Sequence, residues 1–357
     1  MKVEKTFFIT VLLSIPFICL GNPKYIPETL SQALEQKAEK GDAKAQNDLG
    51  IAYLLGKGVE KNSKKAFELF KKSNDQGNIV AGYYMGICLG SGDGVEQNKE
   101  KALYYIQKAA DEGLVEAENN LAGIYFTGDG VLKDEAKAIS ILKKASNKKY
   151  PLATYNYANL TMEKSSSDSE QKEAFKIMED LAKQEEPDAQ AAVGVWNLNG
   201  KGTTKNEVEA FRWLRRAVDN GNKEALYKIA EMYEEGVGTI TDRIKALEFY
   251  AKYALEDPDA IVMITLMSKL SETEQKVRDQ KVFEVASWHA DKGNRKMQAV
   301  LAGFYQNGVV VEKNLNKAVE LFKKSSEQGW EPAKKALEKI NQDSVKQQSS
   351  TNPQQTP

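Results

Sequence analysis

The chain has 357 residues, in which 50 Lys and Arg stand against 51 Asp and Glu, for a formal net charge of −1. A balanced charge of this kind gives no general attraction to nucleic acid or to an anionic membrane surface. The whole sequence contains a single histidine, which excludes a zinc site built from several histidines.

Residues 1–21 have the pattern of a signal peptide. A short positive region precedes residues 7–20, an apolar run of 14 residues, which is shorter than the about 20 residues that span a bilayer. The small residue Gly21 predicts cleavage before Asn22, so we expect a secreted or periplasmic chain without stable membrane insertion. Acylation of Cys19 as a lipoprotein is a less favoured alternative, because the residue before it is not small.

Residues 22–44 are expected to contain an N-terminal capping helix. Leu30 and Leu34 lie 36 residues before Ala66 and Phe70, two core positions of the repeat that follows. The segment therefore mimics the second helix of a missing preceding repeat.

Residues 45–332 contain eight repeats of 36 residues. One series in this register is Ala45, Ala81, Ala117, Ala153, Ala189, Ala225, Ile261, Met297 and Ala333. Another is Gly41, Gly77, Gly113, Lys149, Glu185, Gly221, Asp257, Gly293 and Gly329. A fixed period of this size predicts an array of stacked units, for which a binding surface is a more natural expectation than an active-site pocket.

The first repeat shows two amphipathic helices. Ala45, Leu49 and Tyr53 fall at helical spacing and form one apolar stripe, and Ala66 and Phe70 belong to a second stripe. Neither helix can bury its apolar face alone, so consecutive repeats are expected to stack.

Turn and cap residues separate these helices. A Gly56-Lys57-Gly58 turn follows the first helix. Asn62 is the predicted N-cap of the second helix. Its equivalents are Asn98, Asp134, Asn206, Asp242 and Asn314. Gly77 is predicted to end the second helix in a left-handed backbone conformation.

Two repeats depart from the pattern. Repeat 4 has the serine-rich residues 165–169 near its turn, and repeat 7 has residues 271–274 there, after the apolar residues 261–264. The spacing is kept in both repeats, so we expect both helix pairs to persist with altered turns.

The C-terminal residues end the array. Residues 333–340 begin a ninth repeat and are expected to form a C-terminal capping helix. Residues 341–357 are rich in Gln, Ser, Thr, Asn and Pro, a composition that predicts disorder.

Three features with possible chemistry have simpler interpretations. His289 falls in a register class otherwise filled by Ser, Ala, Leu and Tyr, which favours a packed structural role over catalysis or metal binding. Cys88 aligns with apolar residues and is expected to be a buried small hydrophobe; once Cys19 is removed, it has no partner for an intramolecular disulfide. The Gly-Lys-Gly turns have no strand before them and no Ser or Thr directly after the Lys, so a phosphate-binding loop is not favoured.

These features together resemble the Sel1-like repeat family, a branch of the tetratricopeptide-like superfamily. The matching residues in repeat 1 are Ala45, Leu49, Gly50, Tyr53, Gly56, Gly58, Val59, Lys65, Ala66, Lys71, Lys72, Ser73 and Gly77. The resemblance covers residues 45–332 and implies an all-α fold, a right-handed α/α superhelical solenoid of stacked helix-turn-helix repeats. It also implies protein binding, and it brings no catalytic motif and no cofactor or metal.

The resemblance further implies that the first helix of each pair lines a concave face. Positions carried over by register predict a binding surface for a protein or peptide partner, formed by Asn47, Tyr83, Asn119, Tyr155, Asn159, Tyr227 and Glu231. Tyrosine and asparagine combine rigid aromatic area with adaptable hydrogen bonds. Packing of some of these tyrosines against the next repeat is the alternative that remains open.

We therefore expect an exported, non-enzymatic, monomeric protein-binding scaffold. The resemblance suggests a role in envelope regulation or in the engagement of host proteins. A cell-wall or β-lactam hydrolase is the second hypothesis, as proposed for cysteine-rich relatives, and a passive structural component of the envelope is the third. Turnover of cell-wall fragments by the pure protein would favour the hydrolase.

Overall fold

The computed structural model describes the backbone of residues 32–350 and the side chains of residues 32–343. In this part of the chain every regular element is helical, as the sequence predicts. The α-helices are α1 Gln32–Glu39, α2 Ala43–Leu55, α3 Ser63–Asn74, α4 Ile79–Ser91, α5 Lys99–Asp111, α6 Val115–Thr127, α7 Glu135–Ser146, α8 Pro151–Lys164, α9 Asp168–Ala182, α10 Pro187–Asn199, α11 Glu207–Asp219, α12 Glu224–Glu235, α13 Arg243–Glu256, α14 Ile261–Leu266, α15 Glu272–Asp291, α16 Arg295–Asn307, α17 Leu315–Glu327 and α18 Glu331–Ser350. The predicted signal peptide and the start of the predicted N-terminal cap lie outside the described residues.

The chain divides into two compact units between Leu181 and Ala182. In the N-terminal unit each helix from α1 to α7 packs against the next one along the chain. In the C-terminal unit the same holds from α10 to α18, and α13 also contacts α15. This is the stacking of helix pairs that the repeat predicts, and no described helix is long and apolar enough to cross a bilayer.

The second helices begin at the caps that the sequence predicts. Asn62 Oδ1 accepts a hydrogen bond from the Lys65 backbone N–H at 3.0 Å. The equivalent bond is made by Asn98, Asp134, Asn206, Asp242 and Asn314. Each cap satisfies a backbone donor that a helix start leaves unpaired. Gly77 has a φ of 86°, so the predicted left-handed conformation is confirmed.

The two glycines of each turn have different roles. Gly56 ends α2 with a φ of 67°, and its N–H donates to the Ala52 carbonyl. Gly94, the second glycine of the repeat 2 turn, has a φ of 79°. A Cβ at Gly94 would lie 2.3 Å from the carbonyl carbon and oxygen of Ser63 in repeat 1. The second glycine therefore allows one repeat to contact the backbone of the preceding repeat.

Val310 occupies the second glycine position in repeat 8 and adopts a φ of 67°. A β-branched side chain is strained in this region, and Val310 is 40% exposed, so it contributes little packing. We expect Val310→Gly to raise the free energy of unfolding by about 1 kcal/mol, because glycine removes the strain. Urea denaturation measures the change. The neighbouring Val309→Gly is the control and should lower the free energy; equal effects at both positions would contradict the account.

A small residue in the first helix allows the second helix to approach. A Cβ added at Gly50 would lie 2.7 Å from the Phe70 ring, and one at Gly86 would lie 2.8 Å from Ile106. The same register position is Gly194 in repeat 5 and an alanine, Ala122, Ala158, Ala230 or Ala302, in four other repeats. This contact places the residues facing it, such as Phe70, in the fully buried core.

Repeat 7 has Leu266 at this position, and its first helix is truncated. Helix α14 ends there after 6 residues, and the Leu266 side chain is 72% exposed. A leucine is too large for the contact between the helices, so the helix stops and the chain passes through Lys269 at a φ of 58°. The prediction that both helix pairs persist is right for repeat 4, which keeps α8 and α9. In repeat 7 only the second helix, α15, keeps its full length.

The last helix differs from the predicted C-terminus. We expected a capping helix over 333–340 and disorder from 341, whereas α18 runs from Glu331 to Ser350. Ile340 is 7% exposed and anchors the middle of the helix. The Gln and Lys side chains that follow have good helix propensity, so the backbone continues helical to Ser350.

Candidate functional site

Five of the seven residues predicted to contact a partner are buried. The exposed fractions of Asn47, Tyr83, Asn119, Tyr155 and Asn159 are 5%, 2%, 4%, 8% and 4%. Their side chains pack between helices, so a partner finds almost no exposed surface at these positions. This corrects the predicted surface, because the alternative of packing against the neighbouring repeat describes these five side chains better.

Hydrogen bonds between consecutive repeats hold several of these side chains. Asn120 Nδ2 donates to the Tyr83 hydroxyl at 2.7 Å, and Asn156 Nδ2 donates to Asn119 Oδ1 at 2.9 Å. In helix α4 every residue from 81 to 90 is buried. The sequence of α4 contains no charged residue, and a helix that lacks a polar face is usually buried on all sides. That absence of charge is the signal that could have placed Tyr83 in the core.

The other two predicted residues, Tyr227 and Glu231, keep exposed surface on helix α12. The Tyr227 hydroxyl donates to Glu231 Oε1 at 2.5 Å, and Lys228 Nζ donates to Glu231 Oε2 at 2.8 Å. The Glu231 side chain is 33% exposed. These two residues are therefore accessible to a partner, and their contact with one stays a prediction.

Two tyrosines of helix α13 adjoin this surface: Tyr253 is half-buried, and Tyr250 is buried beneath it at 4% exposure. The rings of Tyr250 and Tyr253 lie 5.8 and 6.0 Å from the Tyr227 ring, centroid to centroid. The Tyr250 hydroxyl donates to Glu234 Oε2 at 3.0 Å. We call Tyr227, Glu231, Glu234, Tyr250 and Tyr253 the tyrosine–glutamate patch. Tyr227 and Tyr253 provide rigid area, Tyr250 supports them from below, and the carboxylates provide hydrogen-bond acceptors.

Burial keeps the phenols of the patch protonated. Desolvation raises the pKa of Tyr227, and the hydrogen bond to the Glu231 carboxylate raises it further. Desolvation likewise raises the pKa of Tyr250, with an added effect of the Glu234 charge. Both hydroxyls therefore remain neutral donors at physiological pH, and each orients a glutamate side chain.

A glutamine series that the sequence analysis missed joins neighbouring repeats. The side-chain amides of Gln46, Gln190 and Gln298 donate to the carbonyls of Ala38, Ala182 and Ala290 at 3.1, 3.2 and 3.4 Å. They accept from Gln76, Asn220 and Gln328 at 2.8, 3.0 and 2.8 Å. The signal lay in the register, because each glutamine is paired with Gln or Asn 30 residues later.

Glu118 replaces the glutamine in repeat 3 and is only 2% exposed. Lys144 Nζ lies 2.9 Å from Oε1 and Lys148 Nζ lies 2.8 Å from Oε2. Lys148 stands at the register position of Gln76, so an ion pair replaces the amide pair of repeat 1. A buried carboxylate is tolerated when its charge is paired in this way.

His289 replaces a missing donor in repeat 7. The register position of Gln46 is Val262 there, which cannot bond the carbonyl of Ala254. His289 Nε2 lies 2.8 Å from that carbonyl oxygen, so Nε2 carries the proton and donates. The side chain is 8% exposed, and the predicted structural role of His289 is confirmed.

We expect His289→Ala to lower the free energy of unfolding by about 2 kcal/mol, because it leaves the buried Ala254 carbonyl without a donor. Chemical denaturation measures the loss. His289→Gln should recover part of it, since an amide can again donate. A loss of biochemical activity in a folded His289→Ala protein would instead indicate a catalytic role.

Cys88 lies fully buried in the core of the N-terminal unit, as the sequence predicts. Burial raises the pKa of its thiol to about 12, with a smaller effect of Asp93. The thiol is therefore protonated and unreactive at neutral pH. Within residues 32–343, no group of three His, Cys, Asp or Glu side chains is arranged to hold a metal ion.

The stacked helix pairs define the chain as an α-solenoid repeat protein. The Sel1 repeat family model matches residues 43–78, 80–114, 115–150, 187–222, 223–257 and 296–330. The chain belongs to the Sel1 repeat family. Repeats 4 and 7, the two that depart from the sequence pattern, are the two without a match of their own.

Two solved structures share the fold. The protective antigen c5321 of uropathogenic Escherichia coli, which displays an SLR fold, is 26% identical, with 88% of this chain and 67% of that chain covered and a TM-score of 0.58. A Sel1 repeat protein from Oxalobacter formigenes is 23% identical, with 93% and 99% covered and a TM-score of 0.55. No curated protein matches the sequence.

Proposed function

We propose that this chain is a non-enzymatic scaffold that binds a partner protein through an exposed surface of its repeats. The observation that carries the proposal is the tyrosine–glutamate patch, where predicted contact residues keep accessible surface. Sel1 repeats generally mediate protein–protein interaction, and this family membership supports the proposal. The predicted contact residues on α4 and α8 are buried. We therefore place the proposed contact on α12 and α13 and not on the N-terminal unit.

We further propose that the mature chain is monomeric and acts in the periplasm or outside the cell. The signal-peptide pattern of residues 1–21 supports export, with cleavage before Asn22. The similar E. coli protein is a protective antigen, which supports a host-facing role over one in envelope regulation. N-terminal sequencing of the exported protein tests the processing, and a lipid-modified Cys19 or a retained Met1 would contradict it.

Affinity capture with the mature chain tests the binding function. The chain is immobilised and exposed to envelope extracts and to host-cell surface extracts. A protein that is retained saturably, and is competed by free chain, is the expected result. Turnover of cell-wall fragments or a β-lactam by the pure chain, without saturable retention of any protein, would support a hydrolase and contradict the proposal.

A further inference from the structure

A cleft of about 460 Å³ lies in the C-terminal unit, where repeats 7 and 8 meet the start of α18. Its walls are mostly apolar and come from four elements of the chain. The main lining residues are Ile261, Val262, Met297, Val300, Phe322 and Trp330. The volume lies within the range of about 300–1,000 Å³ that is usual for ligand pockets, so it can receive a large side chain.

Val262 contributes an apolar side chain to the wall of the cleft. In repeats 1, 5 and 8 a glutamine at this register position bonds to the preceding helix and closes the junction between repeats. Val262 has no donor, and His289 satisfies the carbonyl that the glutamine would have bonded. Val262 is 42% exposed, so this register position presents an apolar side chain to the cleft in place of an amide.

One edge of the cleft is cationic. A second cleft of about 410 Å³ shares Asp259 and Lys296 with the first and adds Arg295. These are the charged residues that line the two clefts, and two cations against one carboxylate leave a net charge of +1. Lys296 Nζ lies 2.7 Å from Asp259 Oδ1, and Arg295 Nη1 donates to the Gln328 carbonyl at 2.8 Å. The Arg295 and Lys296 cations lie 5.7 and 5.9 Å from the centroid of the Trp330 ring.

We propose that this cleft is a peptide-binding site for a partner segment in which a bulky apolar side chain is followed by a carboxylate. The apolar side chain occupies the space between Val262, Val300 and Trp330. The carboxylate, from an Asp or Glu side chain of the segment, lies at Arg295 and Lys296. The proposal follows from charge complementarity at the edge of an apolar cleft, and it rests on the proposed protein-binding function.

The probe is a random peptide library displayed on phage and selected on the full mature chain. We expect the selected peptides to share a bulky apolar residue with Asp or Glu directly after it. A synthetic peptide of the consensus is then titrated by fluorescence anisotropy. Peptides without this pattern, or no selected peptide at all, would overturn the proposal.

Matched variants locate the binding. Val262→Asp puts a negative charge in the cleft. It should lower the affinity of the chain for the peptide by roughly thirtyfold, the loss expected when an interface anchor is removed. Ile240→Asp makes the same change at a side chain that is 77% exposed outside the cleft, and should leave the affinity within about twofold of the parent. Equal affinities in the parent and Val262→Asp would overturn the proposal.

A charge reversal gives a second test that does not depend on Val262. Arg295→Glu should lower the affinity for the acidic peptide more than the affinity for a control peptide in which Asn or Gln replaces the acidic residue. Lys323→Glu, on the exposed face of α17, should change neither affinity. If the selected peptides lose affinity in Tyr227→Ala and not in either cleft variant, the cleft proposal fails and the scaffold function stands. The molar mass of the chain in solution gives a further outcome. If the parent becomes a dimer as its concentration rises and Val262→Asp stays a monomer, the occupant of the cleft is a second copy of the chain, which would contradict the proposal.

Discussion

Replacing Gly94 by alanine is expected to lower the free energy of unfolding by about 3 kcal/mol. The backbone at Gly94 has a φ of 79°, and the left-handed region costs a residue with a Cβ about 1–2 kcal/mol. The new Cβ would also lie 2.3 Å from the carbonyl of Ser63. Backbone cannot rotate away as a side chain can, so the two repeats must separate, at a further cost of about 1–3 kcal/mol.

Gly77→Ala is the matched control for this change. Gly77 has a φ of 86°, but a Cβ added there meets nothing within 4 Å. The control should therefore show the conformational cost alone, about 1 kcal/mol. Chemical denaturation of both variants measures the difference. Equal losses would mean that the turn glycines are needed only for their backbone conformation and not for the contact between repeats.

Removing both lysines from Glu118 is expected to cost about 3 kcal/mol. Lys144→Met with Lys148→Met keeps the aliphatic length of the side chains and leaves the carboxylate buried and unpaired. Breaking a buried pair costs about 3–5 kcal/mol. The Lys144 and Lys148 side chains are 65% and 36% exposed, so the lower end of that range applies.

A rescue variant separates charge pairing from general packing at this site. Glu118→Gln with Lys148→Gln recreates the Gln46–Gln76 arrangement of repeat 1, and its stability should lie within about 1 kcal/mol of the parent. Denaturation curves of the parent, the double methionine variant and the double glutamine variant are compared. A methionine variant as stable as the parent would show that the Glu118 charge needs no partner.

The repeat period was sufficient to predict the helical fold. The caps at Asn62 and its equivalents and the left-handed Gly77 followed from local rules, because a helix end needs a donor or a glycine whatever lies around it. The truncation of α14 was missed because the size limit at Leu266 appears only when the small residues at Gly50 and Gly86 are known to face another helix.

The candidate surface was predicted less well than the fold. Register places Asn47, Tyr83 and Tyr227 in one class, but it does not give the distance between neighbouring helices. Tyr83 is buried because α4 has no polar face, whereas Tyr227 lies on α12 beside Lys228 and Glu231 and keeps access to solvent. Position in the repeat therefore predicts the face of a residue, and the local charge pattern decides its exposure.

The affinity of a captured partner for the parent chain and for Tyr227→Ala tests the binding account most directly. Calorimetry is used for both, with Tyr104→Ala as the control, since Tyr104 is 62% exposed on helix α5 and outside the patch. The account predicts roughly thirtyfold weaker binding for Tyr227→Ala, an unchanged affinity for the control, and a partner recovered chemically intact. Equal affinities for all three proteins, with Tyr227→Ala folded as the parent, or a partner recovered cleaved, would contradict it.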